Sequence, residues 1–222
     1  MIILLKNKEN IINSPRLIAI GDIHGEIYKL NELLRQLKPK KEDTLVFLGD
    51  YIDRGKHSKE VIERLISLSK ETNCIFLKGN HEQMLLKIPE TKSETDVNYW
   101  MINGGVETFD SYGNFENIFN YHRDFFNNLK LYYLTDKYLF VHAGINPDKS
   151  LEEQTEDDFL WIRDSFINKK HNLKQKIIFG HTAFYNPFVE DDKIGIDTGC
   201  GKEEETYLTA FICDEEFFIT SE

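Results

Sequence analysis

Short apolar runs alternate with helix-like patterns over most of the chain. Five runs rich in branched and aromatic residues have the length and composition of buried strands, at residues 17–20, 44–48, 74–77, 138–141 and 176–179. Between the first three runs, apolar residues recur every three or four positions at 27–37 and 61–68, which is the spacing of a helix with one apolar face. This alternation predicts an α/β fold in which helices cover one sheet built from the successive strands.

The C-terminal part of the chain has a different pattern. From Lys193 to Thr220 the strand-like pieces IGID, YLTAFI and FFIT follow one another without a helical run, which predicts a second sheet. Before it, residues 91–133 begin with polar segments and continue from Phe115 to Leu129 with aromatic residues at helical spacing. We expect this aromatic face to pack into the core, and a wall of a substrate groove is the alternative. The N-terminal MIILL predicts an edge strand, because it is too short for a signal peptide or a membrane-spanning helix.

Composition and charge limit the class of partner. With 222 residues, 41% of them hydrophobic, and no repeat or linker, the chain is expected to form a single domain over residues 1–222. The formal net charge of -11 disfavours binding to nucleic acid or to anionic membranes, since both attract an excess of lysine and arginine. Because of this net charge, an anionic substrate would need local attraction, as bound divalent cations provide.

The cysteines are three in number, far apart, and fit no disulfide, metal or redox spacing, which favours a reducing cytoplasm.

Five motifs occur in order along the chain: GDIHG, GDYIDRG, GNHE, HAG and GHT. Each follows a predicted strand, at the edge where open α/β sheets bind ligands. Asp22 and His24 are two residues apart and can grip one ion, and a carboxylate with an imidazole suits manganese, iron or zinc better than calcium. Asp50 has two oxygens and can bridge two ions. The later motifs add Asn80, His142 and His181, so the set predicts a dinuclear metal site and points to phosphate-ester hydrolysis.

The ordered motif set resembles the phosphoprotein phosphatase family of calcineurin-like metallophosphoesterases, in particular its compact bacterial and phage-type serine/threonine protein phosphatases. The resemblance extends over roughly residues 17–212. It implies a sandwich of two mixed sheets flanked by helices, with two divalent cations at the sheet ends, manganese first and iron or zinc as alternatives. It also implies which residues hold the ions: Asp22 and His24 the first, Asp50 both, and Asn80, His142 and His181 the second.

The same resemblance implies the remaining roles in the site. His81 would be the general acid, oriented by Asp53, which fits the need to protonate a poor leaving group. Arg54 and Arg163 would bind phosphate oxygens through their planar guanidinium groups. Lys78 stands where the family usually has another phosphate-binding arginine. A lysine keeps the charge but loses the bidentate fork, so we expect a weaker or differently shaped grip on the substrate.

We therefore expect a metal-dependent phosphatase that hydrolyses phosphomonoesters, foremost phosphoserine and phosphothreonine in proteins, by direct attack of a metal-bridging hydroxide. The closest alternative is a symmetrical dinucleoside tetraphosphate hydrolase, although LWIRD and TGC resemble the protein phosphatase branch more. A noncatalytic module that binds phosphorylated partners is a second alternative, disfavoured because every predicted ligand and the predicted acid are present. The acidic GKEEETY segment after Cys200 is interpreted as a solvated hairpin, or as a source of repulsion for acidic phosphopeptides. His57, His122 and His171 match no motif and are interpreted as structural or surface residues.

Overall fold

The computed structural model describes residues 14–203 and 205–222. The predicted edge strand in MIILL lies outside the described residues. The strands are β1 Leu17–Ile20, β2 Thr44–Phe47, β3 Asn73–Phe76, β4 Tyr132–Leu134, β5 Tyr138–Val141, β6 Lys176–Phe179, β7 Phe188–Val189, β8 Lys193–Gly195, β9 Thr209–Ile212 and β10 Phe217–Thr220.

These strands form two five-stranded mixed sheets. The first has the order β10-β9-β1-β2-β3, with β1, β2 and β3 parallel and β9 antiparallel to both of its neighbours. The second has the order β4-β5-β6-β8-β7, with β5, β6 and β8 parallel and an antiparallel strand at each edge. The predicted fold class, two mixed sheets flanked by helices, is confirmed.

Helices occupy the connections from β1 to β2, β2 to β3, β3 to β4 and β5 to β6. They are α1 Ile27–Leu37, α2 Ser58–Leu68, α3 Asn80–Thr91, α4 Glu94–Trp100, α5 Val106–Tyr112, α6 Phe115–Asn127, α7 Glu156–Trp161 and α8 Asp164–Ile167, with a π-helical turn at Met101–Gly105 and a 3₁₀ turn at Leu151–Glu153. Helix α1 ends where Lys38 adopts a left-handed backbone before Pro39, a combination that cannot continue a helix. In α6, Ile118 and Phe126 pack into the core, as the aromatic pattern predicts. No helix within residues 14–203 and 205–222 is long and apolar enough to cross a membrane.

The alternation of side chains along the strands divides the core into layers. In β1, Ile18 and Ile20 face the helices on one side, whereas Ala19 faces the second sheet. In β5, Phe140 faces the first sheet while its neighbours face α7 and α8. The two sheets therefore share an apolar interior, and this packing places the strand ends that carry the predicted ligands next to each other.

The assignment of strands to sheets differs from the prediction. The sequence pattern predicts one sheet for the first five runs and a second sheet for the C-terminal pieces, but β5 and β6 belong to the second sheet. Strands β9 and β10 instead complete the first, because the edge of β1 opposite β2 pairs with β9, as in Ile18 with Ile212. Apolar periodicity reports that a strand is buried but not which distant strand it pairs with.

Candidate metal centre and catalytic site

The five motifs directly follow β1, β2, β3, β5 and β6, and GNHE, after β3, forms the start of α3 while the other four lie in loops. The first three motifs come from one sheet and the last two from the other. Contacts between their side chains show that the loops converge at one edge of the sandwich, the location predicted for a ligand site.

Asp50 lies at the centre of this convergence with its two oxygens turned to different neighbours. Its Oδ2 is 3.4 Å from His24 Nε2, and its Oδ1 is 3.5 Å from His142 Nε2. Two groups of buried donors therefore share this carboxylate: Asp50 with His24 and His81, and Asp50 with His142 and His181. One carboxylate between two donor groups is the arrangement that a bridging ligand requires.

Asn80 and Asp22 join the two sheets at the same place. The Asn80 Oδ1 is 3.0 Å from His142 Nε2 and 2.8 Å from His181 Nδ1. Both oxygens of Asp22 accept the backbone N–H of His181, at 3.2 and 3.0 Å. The structure thus brings together all six predicted metal ligands, although their roles as ligands stay predictions.

The electrostatics of these donors favour a cation. Burial lowers the pKa of His24 and His142, and that of His181 to about 2, so the imidazoles are neutral and offer lone pairs. Burial, and then the nearby carboxylates of Asp197 and Asp50, raise the pKa of Asp22, and a bound cation would favour its ionised form. Buried carboxylates with neutral imidazoles are a donor set suited to divalent transition metals, so the residues fit the predicted ions.

Backbone strain is concentrated in the same loops. Five site residues have a left-handed backbone that is rare outside glycine: His24 (φ 47), Asp50 (φ 51), Asp53 (φ 71), Arg54 (φ 68) and His181 (φ 62). Two glycines allow the loops to approach each other, because a Cβ at Gly79 would collide with Asp50 Oδ1 and one at Gly180 would collide with Asp22 Oδ1. Such strain persists only where surrounding contacts hold it, and it is typical of functional sites.

His81 and Asp53 form a buried hydrogen-bonded pair beside the donors. The His81 Nδ1 lies 2.7 Å from Asp53 Oδ2. Burial alone would lower the pKa of His81, but the carboxylates of Asp50 and Asp53 outweigh it and raise this pKa above its ordinary value. His81 is therefore suited to donate a proton from its other nitrogen.

Of the three side chains predicted to bind phosphate, two lie next to the predicted metal ligands. The Arg54 guanidinium is 2.7 Å from His24 Nε2 and 3.0 Å from His81 Nε2. Arg163 Nη1 is 3.5 Å from the backbone oxygen of His181. Lys78 instead pairs with Glu156 at 3.0 Å, in a neighbouring groove of about 510 Å³. Its role in phosphate binding stays a prediction.

Two further acidic residues of the site were not identified from the sequence. Glu82 is fully buried in α3, and its carboxylate accepts backbone N–H groups of the loop that carries Asp50. Asp197 follows β8, and its buried Oδ2 has no hydrogen-bond partner among the described residues. The available signals were the fourth letter of GNHE and the aspartate that ends IGID, the same strand-then-aspartate pattern seen at Asp22.

The stacked mixed sheets, the cluster of buried carboxylates and imidazoles, and the two guanidinium groups beside it are typical of a metal-dependent phosphoester hydrolase. The model of the calcineurin-like phosphoesterase family matches residues 15–212. Serine/threonine-protein phosphatase 2 of Escherichia coli (strain K12) is 34% identical over 194 residues, which cover 82% of this chain and 86% of the relative. The chain belongs to the calcineurin-like phosphoesterase family, and the predicted family and enzyme class are confirmed.

Solved structures share the fold at lower identity. A protein provisionally described as a diadenosine tetraphosphatase superposes with a TM-score of 0.67 at 24% identity, covering 94% of this chain and 93% of that one. A cold-active protein tyrosine phosphatase gives 0.69 at 15% identity, with coverage of 94% and 79%. A protein serine/threonine phosphatase from Saccharomyces cerevisiae gives 0.60 at 20% identity, with coverage of 92% and 75%.

Proposed function

We propose that this phosphatase acts on phosphoserine and phosphothreonine in proteins and works with two divalent cations, manganese in the first place and iron or zinc as alternatives. The observation that carries the proposal is the position of Asp50, whose two oxygens face His24 on one side and His142 on the other. We also propose that the enzyme acts in the cytoplasm, an expectation supported by its unpaired cysteines.

The proposed ligand set divides between the two ions. One would be held by Asp22, His24 and Asp50, and the other by Asp50, Asn80, His142 and His181. When bound, two such cations supply a nucleophile from water near neutral pH and offset the charge on the phosphoryl oxygens.

The chain's own side chains would provide the remaining steps. The guanidinium groups of Arg54 and Arg163 would bind phosphate oxygens and orient the phosphoryl group for in-line attack. His81, held by Asp53, would protonate the departing serine or threonine oxygen, which leaves poorly as an alkoxide. The pair is buried, so water competes little for its hydrogen-bonding groups.

Two substrate classes have support among the similar proteins. The E. coli serine/threonine-protein phosphatase 2 supports a phosphoprotein substrate, since its match covers 82% of this chain. The neighbour described as a diadenosine tetraphosphatase supports symmetrical hydrolysis of dinucleoside tetraphosphates as the alternative. A noncatalytic binding role is disfavoured, because such a role needs neither the His81–Asp53 pair nor a buried set of metal donors.

A side-by-side assay tests the proposal. The protein is treated with a chelator, reloaded with Mn²⁺, and assayed for kcat/KM on a phosphoserine peptide, a phosphothreonine peptide and diadenosine tetraphosphate, with Asp50→Asn as the inactive control. We expect activity only after reloading and a preference for the peptides. A clear preference for the nucleotide would overturn the substrate assignment, and absence of all activity after reloading would overturn the metal-dependent mechanism.

A further inference from the structure

The carboxylate of Asp53 has more partners than His81. Asp53 is fully buried, and the Trp100 indole Nε1–H lies 3.1 Å from its Oδ1 and 3.0 Å from its Oδ2. The Thr108 hydroxyl donates to Oδ1 at 2.7 Å. Trp100 and Thr108 are themselves fully buried. These two residues therefore fix the orientation of the carboxylate that receives the His81 hydrogen bond.

The same two partners sit on a segment that also holds the strained backbone of Asp53 and Arg54. The Asp53 N–H donates to Thr108 Oγ1 at 2.8 Å and to Ser58 Oγ at 3.1 Å. The Arg54 N–H donates to the Gly104 carbonyl oxygen at 2.9 Å. Consecutive left-handed residues cost about 1–3 kcal/mol each, so contacts of this kind are needed to keep them in place.

All of these contacts except that of Ser58 come from the Glu94–Tyr112 segment, which comprises α4, the π-helical turn and α5. The segment supplies none of the predicted metal ligands. Its turn fits closely against the site, because a Cβ at Gly104 would lie 2.8 Å from the Arg54 backbone nitrogen and one at Gly105 would lie 2.5 Å from the Trp100 ring. Gly104 also has a left-handed φ of 103°, which glycine adopts without cost.

We propose that Trp100 and Thr108 are positioning residues for the His81–Asp53 pair, so that the Glu94–Tyr112 segment determines how well His81 protonates the leaving group. This inference rests on the proposed function and adds two residues to it. The inference concerns the protonation of the leaving group. Loss of either donor lets the Asp53 carboxylate rotate, and His81 is then no longer oriented towards the departing oxygen.

Leaving-group dependence separates positioning from a purely structural role. An alkyl oxygen, as in phosphoserine, needs a proton to depart, whereas the p-nitrophenyl oxygen departs without one. A defect in the acid therefore slows a phosphoserine peptide much more than p-nitrophenyl phosphate. A defect in folding, metal content or phosphate binding slows both substrates alike.

The variants Trp100→Phe and Thr108→Val remove the two donors and keep most of the volume. We expect each to lower kcat for the phosphoserine peptide by about 10–100-fold and kcat for p-nitrophenyl phosphate by less than about threefold, with unchanged metal content. Thr108→Ser keeps the hydroxyl and should restore the peptide rate. Tyr112→Phe is the matched control, because it removes a buried hydrogen bond of the same segment, to His122 Nδ1 at 2.6 Å, without touching Asp53.

The outcomes separate this inference from the proposed function. Equal losses of kcat on both substrates in Trp100→Phe and Thr108→Val would overturn the positioning role while the phosphatase assignment stands. The same holds if Tyr112→Phe lowers the peptide rate relative to the p-nitrophenyl phosphate rate as much as those two variants do. A wild-type protein inactive on both substrates after Mn²⁺ loading would instead overturn the proposed function. If Thr108→Val does not fold, Trp100→Phe in a His81→Gln background decides: a positioning role predicts no further change in the substrate ratio, and an additional change contradicts it.

Discussion

Glu82→Gln is the substitution for which the structure makes the most exacting prediction. The Glu82 carboxylate is fully buried, and its Oε2 accepts the backbone N–H groups of Asp50 and Gly79, both at 2.9 Å. Its Oε1 accepts those of Tyr51 at 2.8 Å and Ile52 at 3.4 Å. One side chain thus organises the loop that carries the proposed bridging carboxylate.

The size of the effect follows from the number of acceptors lost. Glutamine has one acceptor oxygen and one donor group, so in either orientation two of the four N–H groups lose their acceptor and face another donor. A buried N–H without an acceptor costs about 1–3 kcal/mol, so two cost about 2–6 kcal/mol. This is a large part of the roughly 5–15 kcal/mol by which domains are stable.

Urea unfolding of chelator-treated protein, followed by circular dichroism, measures the loss as a change in the free energy of unfolding. Glu90→Gln in the same helix is the control, because Glu90 is exposed and should change stability by less than about 0.5 kcal/mol. We also expect Glu82→Gln to weaken Mn²⁺ binding about 10–100-fold, since outer partners orient the ligands. A stability difference between the two variants below about 1 kcal/mol would refute the reasoning.

Further substitutions test the roles of individual side chains. Asp50→Asn should abolish turnover and weaken both ions together, as measured by metal analysis, and near-normal activity would remove the bridging assignment. The kcat for a phosphoserine peptide should fall as pH rises through the raised pKa of His81, because only the protonated imidazole donates a proton. His81→Gln should lower kcat by about 10²–10⁴ and remove this decrease at alkaline pH. A decrease that persists in the variant would belong to another group. Glu156→Gln should free Lys78 and lower KM for phosphomonoesters by up to about fivefold, the range of a partly exposed ion pair, whereas an unchanged KM means that Lys78 does not reach the phosphate.

The sequence predicts the local features of this fold well. The helix expected at 27–37 is found at Ile27–Leu37, and the first strand is found at Leu17–Ile20, because apolar spacing directly reflects a buried face. The motif residues also converge as expected, since each follows a strand whose end lies at the same edge of the sandwich.

Long-range partners could not be predicted in the same way. Nothing near Asp53 in the chain indicates that its carboxylate is held by Trp100 and Thr108, which are 47 and 55 positions away. The pairing of β1 with β9 cannot be predicted from the sequence either, because all four β9 residues are buried and would fit the interior of either sheet. Glu82 has no distinguishing signal in the sequence beyond its place in GNHE, because an acidic residue in the first turn of a helix is usually a solvated N-terminal charge.

The pairing of β1 with β9 also sets the order in which the enzyme can be completed during its synthesis. Ile18 is made early, yet its partner Ile212 leaves the ribosome roughly 190 residues later, which at about 5–20 residues per second takes about 10–40 seconds. Throughout that interval one edge of the Leu17–Ile20 strand, which leads directly into Asp22 and His24, has no β9 to pair with. A nascent chain therefore cannot finish the sheet beneath four of its six proposed ligands, Asp22, His24, Asp50 and Asn80, until Thr209–Ile212 has been made, and we expect hydrolytic activity only after that point.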